Sequence, residues 1–194
     1  MSKPSIFSGK AIIFSAPSGA GKTTIVKHII NQIPELSFSI SACSRNKRKN
    51  EINGVDYYFL DINEFKNKIK ADEFIEWEEV YANNFYGTLK SEITKIWSLN
   101  KHVIFDVDVV GGISLKKYFS ESALSIFIEP PSIAILEERL KSRNTDSLDA
   151  IKTRVKKAKE ELEYKKSFDQ YLINDNLNTT LVNAENIIKE FLQK

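Results

Sequence analysis

The segment FSAPSGAGKTT, residues Phe14 to Thr24, lies where a short apolar run ends and a helical pattern begins. The run AIIFSA predicts a strand over Ala11–Ala16. From Thr23 to Ile33 the apolar residues recur at helical spacing, and Pro34 follows them. A glycine-rich turn between a strand and a helix is typical of loops that bind phosphate through backbone N–H groups. The segment therefore predicts an α/β fold with such a loop after its first strand.

The loop matches the pattern G-x-x-x-x-G-K-[ST] at every defined position except the first, which is Ala16. Gly21 permits close approach of the backbone, Lys22 supplies charge to the β- and γ-phosphates, and the Thr23 hydroxyl suits Mg²⁺. Alanine is small, so it is compatible with the bend out of the strand. A chance turn is the alternative, and the flanking strand and helix argue against it. We therefore expect nucleotide phosphates to contact Ala16, Pro17, Ser18, Gly19, Ala20, Gly21, Lys22, Thr23 and Thr24.

Composition limits the class of protein. The chain has 194 residues, is 42% hydrophobic and has a net charge of +2, which suits one globular domain and argues against a nucleic-acid-binding coat. The single cysteine, Cys43, excludes an internal disulfide framework and suits a reducing compartment. No stretch approaches the ~20 apolar residues that span a bilayer. We expect a cytoplasmic monomer or small homo-oligomer with neither nucleic acid nor a membrane as its partner.

Strand and helix patterns alternate along much of the chain, which predicts a mainly parallel sheet. HVIFDVDV (His102–Val109), ALSIFIEP (Ala123–Pro130) and YLIND (Tyr171–Asp175) are predicted strands. Thr179–Leu192 is a predicted closing helix, and the densely charged stretch Arg139–Lys166 is strongly helical in pattern. These elements describe an α/β core.

Between about residues 38 and 88 this alternation stops. The strand candidates SFSISA, DYYFL and EFIEWEEVY resemble hairpin strands, and a helical piece at Ile62–Lys70 lies between the second and the third. The pattern predicts a separate α+β lobe inserted between the first helix and the next core strand.

Two arginines of this lobe, Arg45 and Arg48, are three residues apart and close to Ser41. Planar guanidinium groups bind phosphate through paired hydrogen bonds, so such arginines can converge on one anion. A solvated basic loop is the alternative, and these residues alone leave both interpretations open.

Glu76 lies in the apolar strand candidate FIEW. A buried carboxylate needs donor partners, and guanine offers two adjacent ones, its N1–H and its 2-amino group, whereas N1 of adenine is an acceptor. Hydroxyl groups such as those of Ser41 and Thr88 could donate to guanine O6. The alternative is an exposed strand position, because the neighbours in EWEE are also acidic, and Glu76 alone favours that alternative.

Asp106 and Asp108 are two residues apart on a predicted strand, so both side chains project to one face. Ligands of open α/β sheets collect at the carboxyl ends of the strands. Acidic side chains there are costly unless a cation or donors meet them. Together with the predicted phosphate loop, the pair favours a metal or ligand role over acids that merely end a strand.

The motifs SAPSGAGKT, the serine–arginine–arginine segment, DYYF, FIEW, NFYGT, DVD and IND follow one another along the chain. In this order and spacing they resemble the guanylate kinase family, from Ile12 to the last helix. The resemblance implies an α/β fold: a P-loop NTPase three-layer core with a parallel sheet, an inserted small α+β GMP-binding lobe and a helical lid over the triphosphate. It implies one domain, residues 1–194, divided into a core (1–37, 89–138 and 157–194), the GMP-binding lobe (38–88) and the lid (139–156).

The activity implied by the resemblance is the phosphorylation of GMP, and of dGMP, by ATP with Mg²⁺. Positions that match the family's acceptor-phosphate ligands are Arg45, Arg48, Tyr57 and Tyr86. Positions that match its guanine contacts are Ser41, Glu76, Thr88 and, near the base amine, Asp108. The expected metal residues are Thr23 and Asp106, and the expected adenine neighbour is Asn174. The residues expected to neutralise charge during transfer are Lys22, Arg48, Arg143 and Arg154.

The chain departs from the family pattern in two places. Lys47 and Asn50 stand where the family often has proline and glycine, which alters the stiffness of the arginine loop and not its phosphate donors. Val110 stands where the family often has glutamine, so any polar role of that side chain is absent.

Two other functions are compatible with the fold that the resemblance implies. One is a non-catalytic guanylate-kinase-like interaction module, and the intact phosphate loop argues against it. The other is a P-loop kinase of another small phosphorylated acceptor, such as a ribosyl bisphosphate. The complete set of predicted guanine-contacting residues argues against this second alternative.

Overall fold

The structure is a computed structural model, and it describes residues 8–142 and 147–194. Two compact units form within the chain. The smaller unit comprises Glu35–Val103 with the described residues before Ala11, and the larger unit comprises Ala11–Pro34 and Ile104–Lys194. The described helices include none that is both long enough and apolar enough to cross a membrane. The division into core, lobe and lid stays a prediction.

The described part of the chain contains both strands and helices. The strands are β1 (Ala11–Ser15), β2 (Leu36–Phe38), β3 (Ala42–Cys43), β4 (Tyr58–Phe59), β5 (Phe74–Tyr81), β6 (Asn84–Leu89), β7 (His102–Val107), β8 (Ala123–Glu129) and β9 (Gln170–Ile173). The α-helices are α1 (Lys22–Gln32), α2 (Ile62–Lys70), α3 (Lys90–Ser98), α4 (Val109–Phe119), α5 (Ile133–Ser142), α6 (Leu148–Leu162) and α7 (Leu177–Gln193). Short 3-10 turns occupy Ser120–Ser122 and Glu163–Ser167.

The sheet of the larger unit has the strand order β7-β1-β8-β9, and β8 runs parallel to both of its neighbours. Ala11 pairs with Ala123, and Ile126 pairs with Gln170. Strand β1 is buried along its whole length and β8 along nearly all of it, as expected for strands covered on both faces. The α/β fold predicted from the sequence is confirmed, and the predicted core strands lie within two residues of the observed bounds.

The helices of the larger unit follow the predicted pattern. Helix α1 begins directly after the glycine-rich loop and ends before Pro34. Helix α7 buries Thr180, Ala184 and Ile188, which recur every four residues along one face. The charged stretch predicted to be helical contains the end of α5 and all of α6, and its residues 143–146 lie outside the described part of the chain.

The smaller unit is built on a four-stranded sheet of order β4-β3-β6-β5. Strand β3 is parallel to β4 and antiparallel to β6, while β5 and β6 form an antiparallel hairpin. The Phe65 ring of α2 stacks on Phe74 at 4.4 Å and on Phe85 at 5.6 Å between ring centroids. Asp61 caps α2 by accepting a hydrogen bond from Glu64 N. The unit therefore has the predicted α+β character and its own aromatic core.

The segment SFSISA differs from the single strand predicted for it. It divides into the end of β2 and the start of β3, with Ser39, Ile40 and Ser41 outside either strand. The physical reason is a side chain: the Ile40 N–H donates at 3.4 Å to the carboxylate of Glu92. A hydrogen bond to a side chain replaces the bond that a strand partner would provide at that residue.

Candidate functional site

The glycine-rich loop joins β1 to α1 in the larger unit. Gly19 and Gly21 have φ angles of 99° and 98°, in the left-handed region that favours glycine. A Cβ on Gly21 would also lie 2.3 Å from Nδ2 of Asn174, so space as well as conformation requires glycine. Gly21 is the N-cap of α1 and carries no capping side chain, and the first turn has no acidic residue. The positive end of the helix dipole is thus placed at the loop, as in anion-binding loops.

Lys22 and Thr23 both contact Asp106 in β7. The Lys22 ammonium forms an ion pair with Oδ1 of Asp106 and donates to the Val107 carbonyl at 2.7 Å. The Thr23 hydroxyl donates to Oδ2 of the same carboxylate at 2.8 Å. The structure therefore brings together the predicted charge donor and both predicted metal residues.

The chemistry of this group fits Mg²⁺. The ion prefers oxygen ligands and is usually held by one or two carboxylates together with substrate phosphates. The Thr23 hydroxyl and the Asp106 carboxylate are such ligands. No group of three or more histidine, cysteine, aspartate or glutamate side chains suited to a metal occurs in residues 8–142 and 147–194. An ion held by Thr23 and Asp106 would need further oxygen ligands, such as those of a phosphate.

Asp108 lies two residues beyond Asp106 and is the N-cap of α4, where its carboxylate accepts from Gly111 N at 2.8 Å. The Asp108 carbonyl accepts from the Ser15 hydroxyl at 3.0 Å. The backbone of Gly112 packs so closely that a Cβ there would lie 2.1 Å from Ser15 Oγ. These contacts fix the end of β7 against β1. The predicted contact of Asp108 with a base amine stays a prediction.

Asn174 and Arg139 both donate hydrogen bonds to the backbone of the glycine-rich loop. The Asn174 side chain is buried, and its Nδ2 donates to the Ala20 carbonyl at 2.7 Å. Arg139 reaches the same carbonyl at 3.4 Å and the Asn174 carbonyl at 3.1 Å. The sequence pattern did not predict this support by Arg139. Its partners are far away along the chain, so local spacing carries no signal for it. The proximity of Asn174 to adenine stays a prediction.

Two described charged residues of α6, Arg154 and Glu161, also belong to the larger unit. Arg154 in α6 donates to the Ser18 hydroxyl of the loop at 3.4 Å. Glu161, also in α6, pairs with Lys157 at 3.6 Å, and burial raises the pKa of its carboxyl group. The sequence pattern did not single out Glu161. Arg143, which was predicted to act on the triphosphate, lies outside the described residues.

Arg45 is the centre of the predicted phosphate-binding group of the smaller unit. Its guanidinium group binds the Glu51 carboxylate through two hydrogen bonds, at 2.6 and 2.5 Å. Its Nε donates to the Tyr86 hydroxyl at 3.1 Å, and its Cζ lies 5.0 Å from the centroid of the Tyr57 ring. Three of the four predicted acceptor-phosphate residues are therefore in contact.

Glu51 was missed by the sequence analysis. Besides binding Arg45, its carboxylate accepts from the backbone N–H of Arg48 at 2.8 Å, so it fixes the loop that carries both arginines. The hydrogen bond to Arg45 lowers the pKa of Glu51 to about 2. The side chain of Arg48 is exposed. An acidic residue six positions after an arginine has no distinctive spacing, which is why the pattern did not indicate it.

Glu76 and Thr88 are cross-strand partners on β5 and β6. The Thr88 hydroxyl, which is fully buried, donates to Oε1 of Glu76 at 2.7 Å. Between them the backbone of Gly87 comes so close that a Cβ would lie 2.7 Å from the Glu76 carbonyl. The structure thus joins two of the predicted guanine contacts. A third predicted guanine contact, Ser41, accepts at its carbonyl from Tyr58 N at 2.9 Å.

A glycine loop that opens α1, with a lysine and a threonine directed at an acid in β7, defines a P-loop nucleotide-binding protein of the α/β class. The guanylate kinase family model matches residues 8–191 of this chain. A guanylate kinase of Bacteroides fragilis is 51% identical over 183 residues, which cover 94% of this chain and 90% of that protein. One of Porphyromonas gingivalis is 50% identical over 186 residues, covering 95% of this chain and 99% of that protein.

A solved structure gives the same assignment. The crystal structure of guanylate kinase from Anaplasma phagocytophilum matches with a TM-score of 0.77 at 26% sequence identity, covering 97% of this chain and 88% of that chain. The chain belongs to the guanylate kinase family.

Proposed function

We propose that the protein transfers the γ-phosphate of ATP to GMP, and to dGMP, with Mg²⁺. The observation that carries this proposal is the intact donor group: Lys22 and Thr23 both contact Asp106. A loop that had lost catalysis would have no need to keep an ammonium, a hydroxyl and a carboxylate in contact. Family membership supports the same reaction.

On the donor side, the loop N–H groups and Lys22 would bind the β- and γ-phosphates. Thr23 and Asp106 would hold Mg²⁺, which supplies charge neutralisation when bound. Arg154 already contacts the loop through Ser18 and would add positive charge, together with Arg143. Phosphoryl transfer depends on alignment and on electrostatic stabilisation more than on a strong base. The residues of the larger unit supply both.

On the acceptor side, Tyr86 and Arg48 would donate to the phosphate of GMP. The Tyr86 oxygen accepts from Arg45 Nε, so its own hydrogen is directed elsewhere and can serve a phosphate oxygen. Arg45 already makes four hydrogen bonds, to Tyr86, Asn46 and Glu51. Its main contribution would therefore be to hold Tyr86 and add charge. Tyr57 packs against the Arg45 guanidinium and would complete the group of residues around the phosphate of GMP.

Guanine would be recognised by the pair of Glu76 and Thr88 together with Ser41. A carboxylate accepts from the N1–H and the 2-amino group of guanine together. Adenine presents an acceptor at N1, so it would face the carboxylate with repulsion. The hydrogen bond from Thr88 orients Glu76 before any ligand arrives, which reduces the ordering cost of binding. Asp108 would lie near the base amine.

The setting of the reaction is part of the same proposal. We expect a cytoplasmic enzyme that acts as a monomer or a small homo-oligomer on free nucleotides, and not on nucleic acid or membranes. An interaction module or a kinase of another phosphorylated acceptor is less well supported, because the donor group is intact and the predicted guanine contacts are all present.

A substrate panel tests the proposal. The purified chain is given ATP and Mg²⁺ with GMP, dGMP, AMP, CMP or UMP, and ADP release is followed by a coupled assay. The Lys22→Ala variant, prepared in parallel, measures contaminating activity. We expect turnover with GMP and dGMP far above this background and above the other acceptors. Turnover at background level with all five acceptors, or a preference for AMP or UMP, would contradict the proposal.

A further inference from the structure

Glu92 is a buried carboxylate that the reaction described above does not use. It lies in the first turn of α3, and its residue is only 3% exposed. Burying a carboxylate is costly unless donors meet it, although the start of a helix favours negative charge. The hydrogen bonds of Glu92 must offset this cost, which indicates a defined structural role for the side chain.

The donors to Glu92 come from two other segments of the smaller unit. The Tyr58 hydroxyl of β4 donates to Oε2 at 2.8 Å, and the Ile40 N–H donates to Oε1 at 3.4 Å. Lys95, one turn further along α3, reaches Oε2 at 3.4 Å and the Tyr58 hydroxyl at 3.3 Å. Glu92 therefore ties α3 to β4 and to the irregular stretch between β2 and β3.

These bonds form a closed ring around Ser41. Ile40, the residue before it, is held by Glu92, and the carbonyl of Ser41 itself accepts from Tyr58 N at 2.9 Å. The hydroxyl of Tyr58 returns to Glu92. Ser41 is thus fixed on both sides although it belongs to no strand. We call Glu92, Tyr58, Ile40 and Ser41 the Glu92 ring.

The ring also adjoins two other predicted acceptor contacts along the chain. Tyr57 directly precedes Tyr58, and Thr88 lies four residues before Glu92, where β6 leads into α3. One buried side chain therefore links the three segments that carry Ser41, Tyr57 and Thr88.

We propose that Glu92 is a positioning residue for the acceptor, and that the Glu92 ring sets the place of Ser41 and Tyr57 before GMP binds. The proposal rests on GMP being the acceptor. Glu92 acts through its neighbours and not by contact with the nucleotide. Breaking the ring should therefore weaken GMP binding while the donor residues of the larger unit keep their function.

The test uses Tyr58→Phe, which removes one hydroxyl and keeps the ring, and Glu92→Gln, which keeps the shape and removes the charge. We expect either change to raise KM for GMP about 5- to 10-fold, which is the fold-change expected if one hydrogen bond of ordinary strength no longer supports GMP binding. KM for ATP and kcat at saturating GMP should remain close to those of the unmodified chain. Calorimetric titration with GMP should show the same loss of affinity. Glu73→Gln, an exposed carboxylate of the same unit, is the matched control.

The double variant of Tyr58 and Glu92 distinguishes a positioning role from a general loss of structure. Because Tyr58 and Glu92 act through one hydrogen bond, the double variant should bind GMP about as well as Glu92→Gln alone. Unchanged KM for GMP in both folded single variants would overturn the proposal, and so would equal increases in KM for GMP and ATP. Circular dichroism establishes that each variant is folded. Absence of GMP turnover in the unmodified chain would overturn the proposed function itself, and with it this inference.

Discussion

Asp106 receives two different donors, one on each carboxylate oxygen: the Lys22 ammonium and the Thr23 hydroxyl. At the scale of single residues, this explains why an acid at the end of an apolar strand is stable there. The contact joins β7 to the first turn of α1, so the loop geometry depends on a strand that follows it by about eighty residues of chain.

Replacing Lys22 by alanine removes the charge aimed at the β- and γ-phosphates. We expect kcat to fall by about 100-fold or more, the usual result of removing one preorganised electrostatic contact to the transition state. The coupled ADP-release assay measures it. Lys27→Ala, an exposed lysine of the same helix, serves as control and should keep near-normal activity. Full activity in Lys22→Ala would disprove the assigned role.

Replacing Glu76 by glutamine tests guanine recognition. The amide presents one acceptor and one donor where guanine offers two donors, and it keeps a partner for the Thr88 hydroxyl. We expect KM for GMP to rise about 10-fold or more, because a hydrogen bond to a charged group is lost and a donor faces a donor. Discrimination against AMP should weaken in parallel. Steady-state kinetics with GMP and with AMP test this expectation. Unaltered GMP kinetics would show that Glu76 does not recognise guanine.

At the scale of elements, the loop between β3 and β4 is held by a carboxylate. Glu51 binds the side chain of Arg45 and the backbone of Arg48, and Tyr86 of β6 completes the group. Lys47 and Asn50, the two departures from the family pattern, both lie in this loop. Glu51 therefore holds this loop by an ion pair and a backbone hydrogen bond, without a proline at Lys47.

This ion pair predicts a particular dependence of stability on pH. The pKa of Glu51 is lowered from its usual 4.5 to about 2 by the hydrogen bond to Arg45, so its stabilisation is present above about pH 4.5 and is lost as the pH falls toward 2. Glu51→Gln lacks this contribution at every pH. The difference in urea midpoint between the two proteins should therefore be largest near pH 6 and shrink below pH 4.5. Glu64→Gln, an exposed acid of α2, should not reproduce the effect, and a difference that stays constant down to pH 2.5 would contradict it.

The elements also show what could be predicted from the chain alone. The loop, the core strands and the helix Ile62–Lys70 were predicted because periodicity and glycine placement are local. The supports of the site were not, because they join distant residues: Arg139 to Ala20 and Glu92 to Ile40. The same kind of bond explains the error in SFSISA, where a side chain from α3 interrupts the predicted strand. No spacing rule carries such information.

At the scale of the whole molecule, the two units carry different parts of the predicted chemistry. The larger unit contains the phosphate loop, Asp106 and Arg154, on a parallel sheet. The smaller unit contains Arg45, Glu76 and their partners, on its own sheet with an aromatic core. The observed contacts of each set join residues of one unit, whereas Asp108, a predicted guanine contact, lies in the larger unit. Each unit is therefore expected to respond mainly to its own nucleotide.

Hydrogen exchange tests this division. GMP alone should slow amide exchange in the segments that contain residues 41–45 and 76–88, whereas a non-hydrolysable ATP analogue with Mg²⁺ should slow exchange in residues 16–25. The reason is that a bound ligand stabilises the local structure that it contacts. Mass spectrometry of peptic fragments resolves the segments. Protection of the phosphate loop by GMP alone, without any change in residues 41–45, would contradict the assignment.

Cys43 can serve as a chemical probe for the opening of the smaller unit. It is the chain's one cysteine, it is fully buried in β3 between β4 and β6, and burial raises the pKa of its thiol. A thiol reagent such as Ellman's reagent can therefore react only when that sheet opens. The labelling rate of Cys43 then reports how readily the sheet opens. Cys43 pairs across the sheet with Tyr86, a predicted phosphate ligand. If this unit binds GMP as proposed, saturating GMP should slow the labelling, and the unmodified chain then reports the opening of this sheet in real time.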